Sequence, residues 1–284
     1  MSIEAEKFGG GIAVVTGAGA GIGMGISRRL AAVGMTVIVT DVSEERAEKV
    51  AGEIRASGGR AEAMAVDVSR PAELDRLAAA VFAKHGAVRV LVNNAGIETI
   101  GLTWEIPVER WEATLNINIH GVVHGCRAFV PHMLKAGQEA WIANLASVGA
   151  LSVMPTQTAY IMSKHAVQAF SECLYLEMEH TGSPIHVCSV MPGMLKTSIF
   201  DAEAGTGEPG TAADHRRVMH DLMKNYGMDL DQGCAVIVEK MARGEFWVDT
   251  QPDMTEQAAE GRVAFLRSKG PPVLAEQAKQ LLES

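Results

Sequence analysis

The sequence predicts an α/β fold: a doubly wound, parallel, seven-stranded sheet with helices on both faces and a helical lid. Three observations carry this. Short, apolar, β-branched runs alternate with longer helical stretches, the pattern of βαβ units. A strand, a glycine-rich turn and a helix follow one another at the start of the chain. Hydrophobic residues make up 48% of the 284, enough to bury a parallel sheet on both faces.

Ile12-Ala13-Val14-Val15 reads as a buried strand. Thr16-Gly17-Ala18-Gly19-Ala20-Gly21-Ile22-Gly23 is the turn. Ile22, Ile26 and Leu30 then recur at helical spacing until Gly34. Glycines let a backbone approach a pyrophosphate, and a helix N-terminus offers N–H groups and a positive dipole end. Met35 to Asp41 forms the second strand. Asp41 lies 20 residues after Gly21, where a carboxylate can accept bonds from an adenosine ribose. Strands are expected near 12–16, 36–40, 61–66, 88–92, 139–146, 184–191 and 245–249. Helices are expected near 21–33, 43–57, 71–85, 107–135, 157–181 and 229–243. Residues 198–228 interrupt the alternation. Their glycine-rich centre, 205–211, is loop chemistry flanked by apolar residues, and reads as a lid. A tail, 252–284, ends in an amphipathic stretch from about Pro272 to Leu282 that reads as the last helix. The whole is expected to be one domain.

Composition narrows the partners. The formal charge is −9 with no basic cluster, which argues against nucleic acid or an anionic membrane surface. No apolar run approaches a membrane span of ~20 residues, and no signal peptide precedes the first strand. Cys126, Cys173, Cys188 and Cys234 are scattered, as reduced thiols of a cytoplasmic protein would be. His120, His124 and His132 share one helix, but no carboxylate cluster joins them, so packing is expected there and not a metal.

The chemistry is concentrated in Tyr160-Ile161-Met162-Ser163-Lys164 and Ser147. Residues four apart on a helix share a face. A charged Lys at roughly 5 Å, with an effective dielectric near ~20, stabilises a phenolate by ~3 kcal/mol. That is about two pKa units. Tyr160 is therefore expected to titrate low enough to serve as a general acid/base, with Ser147 hydrogen-bonding the same substrate oxygen.

These segments together resemble the short-chain dehydrogenase/reductase family over roughly residues 8–250, in its short single-domain branch with Thr-Gly-x-x-x-Gly-x-Gly and Tyr-x-x-x-Lys. Asp67-Val68, Asn93-Asn94-Ala95-Gly96, Asn118, Ser147 thirteen residues before Tyr160, and Pro192-Gly193 with Thr197 follow in the family's order. The resemblance implies a Rossmann sheet and a nicotinamide cofactor. It implies that Gly17, Gly21, Ile22, Gly23, Asp41, Asp67, Val68, Asn94, Ala95, Gly96, Pro192, Gly193 and Thr197 line the cofactor site, together with Tyr160 and Lys164. It also implies that Lys164 holds the nicotinamide ribose and that Asn118 holds a water linking Lys164 to solvent. NAD is favoured over NADP: Asp41 would repel a 2′-phosphate, and no cation is placed to bind one.

The substrate pocket is expected to involve Glu98, Gly149, Leu151, Met154, Met194, Ile199, Phe200 and Met223. Most are apolar, which suggests a medium or bulky hydrophobic secondary alcohol or ketone. Glu98 reads either as a contact to a polar group or as an exposed loop residue. Two alternatives stand beside this oxidoreductase: a reductase of carrier-bound 3-oxoacyl groups, and a non-catalytic NAD-binding scaffold. The long helices carry Val122, Val123, Phe129, Phe170, Leu174 and Leu176 beyond one stripe, so burial on a second side is expected. The family implies a homotetramer or homodimer built on them.

Overall fold

The computed structural model describes residues 2–201, 210–274 and 279. Seven parallel strands lie in the order β3-β2-β1-β4-β5-β6-β7. They are β1 (Ile12–Val15), β2 (Thr36–Asp41), β3 (Arg60–Ala65), β4 (Val90–Asn93), β5 (Ala140–Leu145), β6 (Ile185–Met191) and β7 (Trp247–Asp249). Every pairing is parallel, with Val15 beside Val39 and Val92 at the centre. The order reverses direction between β1 and β4, and a cleft opens at the carboxyl ends of the strands at such a switch point.

Helices α2 (Gly21–Ala32), α3 (Glu44–Ala56) and α9 (Leu230–Ala242) pack against one face. Helices α4 (Pro71–His85), α6 (Gly121–Ala136) and α7 (Thr158–Thr181) cover the other. The sheet is thus buried on both sides, which explains why its strands read as continuous apolar runs. Trp141 on β5 is fully buried and meets Phe8 edge-on at 5.0 Å. We predict that Trp141→Ala costs ~3–5 kcal/mol, as large-to-small changes of core aromatics do. Urea unfolding checks this, and an unmoved midpoint would show that the sheet centre tolerates the cavity.

Three elements depart from the sequence expectation. Phe8 belongs to a short helix, α1 (Ile3–Phe8), which the strand–helix alternation gave no reason to expect. Its Glu4, nearly buried, pairs with Arg29 of α2 at 2.6 Å. The stretch expected as one helix over 107–135 is α5 (Val108–Leu115) and α6, joined by a π-helical turn, Asn116–His120. Such turns are rare and often lie at functional sites. The tail forms α10 (Pro252–Ser268), whose first turn packs on Gly193. The helix expected from Pro272 is not seen at 271–274, and 275–278 and 280–284 lie outside the described residues.

The segment expected to form a lid contains a helix. This is α8 (Gly210–Tyr226), whose approach, 202–209, is outside the described residues. Met228 N–H donates to Met194 O and Lys196 N–H to Met228 O, both at 2.9 Å, so the two ends of the insertion are stitched together. Ile100, Phe200, Ala212 and Met223 form a small apolar cluster beneath it.

Candidate functional site

The glycine turn after β1 has the shape a dinucleotide phosphate needs. Gly17 and Gly21 have φ of 60° and 53°, in the left-handed region that favours glycine. A Cβ on Gly23 would lie 2.4 Å from Asn94 Nδ2 and 2.6 Å from Gly17 O. Only glycine allows that approach, and it brings Ile22 and the first turn of α2 up to the cleft. Ala20 gives this helix no side-chain cap, so its first N–H groups have no side-chain acceptor at the N-cap, as a helix end that binds an anion would.

The neighbouring loop is locked to this turn. Asn94 Nδ2 donates to Thr16 O at 2.8 Å and to Gly17 O at 3.0 Å, and Ala95 N–H donates to Thr16 Oγ1 at 3.2 Å. Asp67 bends the chain into α4, its Oδ1 accepting from Ser69 Oγ at 2.6 Å. Val68 is buried against Gly121. Across the cleft, Pro192 O accepts from Val148 N–H and Gly193 N–H donates to Thr250 Oγ1, each at 3.2 Å. Thr197 lies over Gly21. Gly21 and Thr197 border one groove, together with Gly19, Ala20 and Met24. Lys49, Lys196 and Lys224 stand at its mouth beside the glycine turn. These three lysines come from three distant segments, so no local motif announces them.

Asp41 ends β2 and is almost fully buried. Its Oδ2 accepts from Gly19 N–H at 3.1 Å, and its Oδ1 from Arg46 Nη2 at 2.6 Å. This corrects one expectation: a cation does stand beside Asp41. Arg46 lies in the first turn of α3, and its i,i+5 offset from Asp41 hid the pairing in the sequence. Asp41 holds it as an ion partner.

The groups expected to react gather beyond the end of β5. Ser147 follows β5 in extended backbone, and its Oγ accepts from Gly149 N–H at 3.1 Å. Ser147 also hydrogen-bonds Tyr160, which sits in the first turn of α7. Lys164 Nζ lies 5.4 Å from the Tyr160 ring centre and donates to Leu145 O at 2.8 Å. The three groups expected to act together are thus brought together.

Their electrostatics differ from expectation. Burial raises the Tyr160 pKa above that of a free phenol, and the neighbouring Glu98 carboxyl raises it further, against the Ser147 hydrogen bond. Burial also brings Lys164 down to about 8, with Glu98 opposing. The sequence argument counted the Lys charge and omitted the cost of removing both groups from water.

Asn118 lies in the π-helical turn and is buried. Its Oδ1 accepts from Ile97 N–H at 2.8 Å, while Nδ2 donates to Ile97 O at 2.9 Å and to Ser163 Oγ at 3.0 Å. Both amide donors are used on the protein, so this side chain clamps the 96–98 segment to α7. Beside it, a Cβ on Gly96 would lie 3.7 Å from Lys164 Nζ.

The substrate-side residues divide. Glu98 is buried and accepts from Gln157 Nε2 at 3.4 Å, so it is not an exposed loop residue. Gly149, Leu151, Met154, Met194 and Ile199 are half-buried. Phe200 and Met223 are packed into the lid cluster. Sequence reasoning missed Thr156 and His215. Thr156 has a left-handed φ of 66°, and its hydroxyl lies 3.0 Å from His215 Nδ1 of α8, docking the lid against the approach to α7. Among the described residues, no group of three His, Cys, Asp or Glu could hold a metal, and His132 stacks on Phe82. None of their helices is long and apolar enough to cross a membrane.

Comparison with known proteins agrees with this arrangement. A family model described as short chain dehydrogenase matches residues 11–206. Probable oxidoreductase EphD of Mycobacterium tuberculosis is 36% identical over 228 residues; the match covers 78% of this chain and 38% of that protein. The chain thus spans about two fifths of that relative's length. Cyclohexanol dehydrogenase of an Acinetobacter species is 34% identical over 199 residues, covering 70% of this chain and 78% of that one. A short-chain dehydrogenase/reductase from Burkholderia phymatum, solved in complex with NAD, superposes with a TM-score of 0.86 at 29% identity. That superposition covers 94% of this chain and 99% of the other. Glycine cradle, parallel sheet and Ser–Tyr–Lys set occur here in one chain with these likenesses, and the chain belongs to the short-chain dehydrogenase family.

Proposed function

We propose that this oxidoreductase transfers a hydride between NAD and a medium or bulky hydrophobic secondary alcohol or ketone. The observation that carries the reading is the Ser147–Tyr160–Lys164 set, placed at the carboxyl end of β5 across from the glycine cradle. The turn fits a dinucleotide phosphate: Gly17 and Gly21 take left-handed φ of 60° and 53°, and the first turn of α2 has no side-chain cap. The Asp41 carboxylate at the end of β2 fits an unphosphorylated adenosine ribose. When bound there, the nicotinamide supplies the hydride acceptor or donor.

The chain's own groups do the rest. The first turn of α2, Asn94 to Gly96, Asp67, Val68 and the Pro192 to Thr197 segment hold the cofactor. Ser147 orients the substrate oxygen. Tyr160 gives its phenolic proton to that oxygen in reduction and takes one in oxidation. Lys164 places positive charge beside the phenol, and Asn118 positions the loop that crosses Lys164. Leu151, Met154, Met194 and Ile199 suit an apolar substrate, and the docked lid excludes water.

The same reading includes a cytoplasmic location, which the four free cysteines suit. It also includes a homodimer or homotetramer through α6 and α7. Val122, Phe129 and Leu174 are buried within the chain itself and leave that surface to others. Leu134, Met162 and Leu176 stand exposed there. Light scattering tests the assembly, and a fully active 30.2 kDa particle would sink it. A screen of secondary alcohols with NAD and NADP, read at the reduced nicotinamide band, tests the activity. No turnover of any secondary alcohol or ketone would overturn the reading.

A further inference from the structure

We propose that Glu98 is a positioning residue of the acid–base site: its carboxyl group, carried under the lid by the 96–98 segment, governs proton exchange at Tyr160 and Lys164. This rests on Tyr160 being the acid/base group, and it names the control on that group.

The geometry fixes Glu98 in place. Asn118 grips both the N–H and the carbonyl of Ile97, the residue before it, at 2.8 and 2.9 Å. A Cβ added at Gly96, two residues before, would lie 3.7 Å from Lys164 Nζ. The carboxyl accepts from Gln157 Nε2 at 3.4 Å and from the Thr99 N–H, and only 6% of the residue is exposed. The groups acting on it are Lys164 and Tyr160 from α7 and Arg216 from the lid helix. His215, beside Arg216, is turned to Thr156, the neighbour of Gln157. Gln157, Ser147 and Asn118 are neutral.

Burial pushes the Glu98 pKa up to about 8, against the pull of Gln157, Lys164 and Arg216. Below that pH it is a neutral acid and adds no charge. Above it, a carboxylate forms beside Tyr160 and Lys164. A carboxylate disfavours a phenolate and favours an ammonium, so it raises both pKa values, in keeping with its action on each. Alcohol oxidation needs the phenolate, and ketone reduction needs the phenol. Glu98 thus keeps the site in its reducing protonation state to higher pH and delays the alkaline activation of oxidation. The three titrations are coupled, and the measured limb belongs to the set.

Glu98→Gln preserves shape and the Gln157 contact while removing the charge. For secondary-alcohol oxidation with saturating NAD, the alkaline limb of kcat/KM should move to lower pH by roughly one to two units, as a charge ~5–10 Å away implies. Glu98→Asp should leave it near the parent position. A purely structural Glu98 would change kcat or KM and leave the limb where it was, and an unmoved limb overturns the proposal. A readout without substrate runs alongside. The chain has three tyrosines, so subtracting the tyrosinate titration of each Tyr160→Phe counterpart isolates Tyr160. Its ionisation should fall to lower pH in Glu98→Gln, and an unchanged value overturns the proposal. If Glu98→Gln does not fold, Glu98→Met, of similar volume and uncharged, takes its place: Tyr160 ionisation should again fall to lower pH, and an unchanged value overturns the proposal. If no alcohol is turned over but the tyrosinate titration shifts, the oxidoreductase reading fails and only the control of Tyr160 ionisation by Glu98 stands.

Discussion

Tyr160→Phe should lower kcat/KM in both directions by ~10²–10⁴ while leaving the fold and cofactor affinity near those of the parent. The phenyl ring keeps the side chain's volume at the start of α7. What is lost is the hydroxyl that Ser147 hydrogen-bonds. That hydroxyl is the proton donor and acceptor for the substrate oxygen in the proposed reaction. Lys164 cannot substitute, because its Nζ is held on Leu145 O at 2.8 Å. NAD titration by fluorescence and a thermal melt separate lost chemistry from lost binding or folding. Turnover within threefold of the parent, with binding intact, would remove Tyr160 from the mechanism.

Asp41→Ala should weaken NAD and move the kcat/KM ratio of NADP over NAD upward by ~10- to 100-fold. Two effects add. The ribose loses its carboxylate acceptor, and Arg46 loses the ion partner that now holds it at 2.6 Å. A guanidinium released at that corner can pair with a 2′-phosphate. Charge-assisted hydrogen bonds of this kind contribute ~1.5–3 kcal/mol. The Asp41→Ala, Arg46→Ala double variant separates the terms: NAD should stay weak and the gain with NADP should vanish. Asp41 also accepts from Gly19 N–H and Ser43 N–H, so a melt should accompany the kinetics. An unchanged cofactor ratio, or a parent that already favours NADP, would refute the ribose role.

Local patterns sufficed wherever one short stretch of chain decides the outcome. Ile12 to Gly23 reads as strand, glycine turn and helix because its apolar run, its glycines at positive φ and its helical spacing lie within a dozen residues, even though β1 pairs with β2 and β4 far along the chain. The Tyr160–Lys164 spacing puts both groups on one helical face for the same reason. The alternation of apolar runs announces a parallel sheet, since strands buried on both faces must be apolar throughout. On these grounds the sequence determined the fold, the glycine turn after β1 and the placing of Tyr160 and Lys164 on one helical face. Tertiary structure alone decided how those groups are charged. Whether Tyr160 titrates below or above a free phenol depends on how much water the lid and the 96–98 loop exclude, and on which carboxyl arrives with them. Glu98 reaches the site through Asn118 and Gln157, residues 20 and 59 positions away, and no periodicity encodes that meeting. Electrostatic energies depend on distance and burial in space, and sequence separation fixes neither.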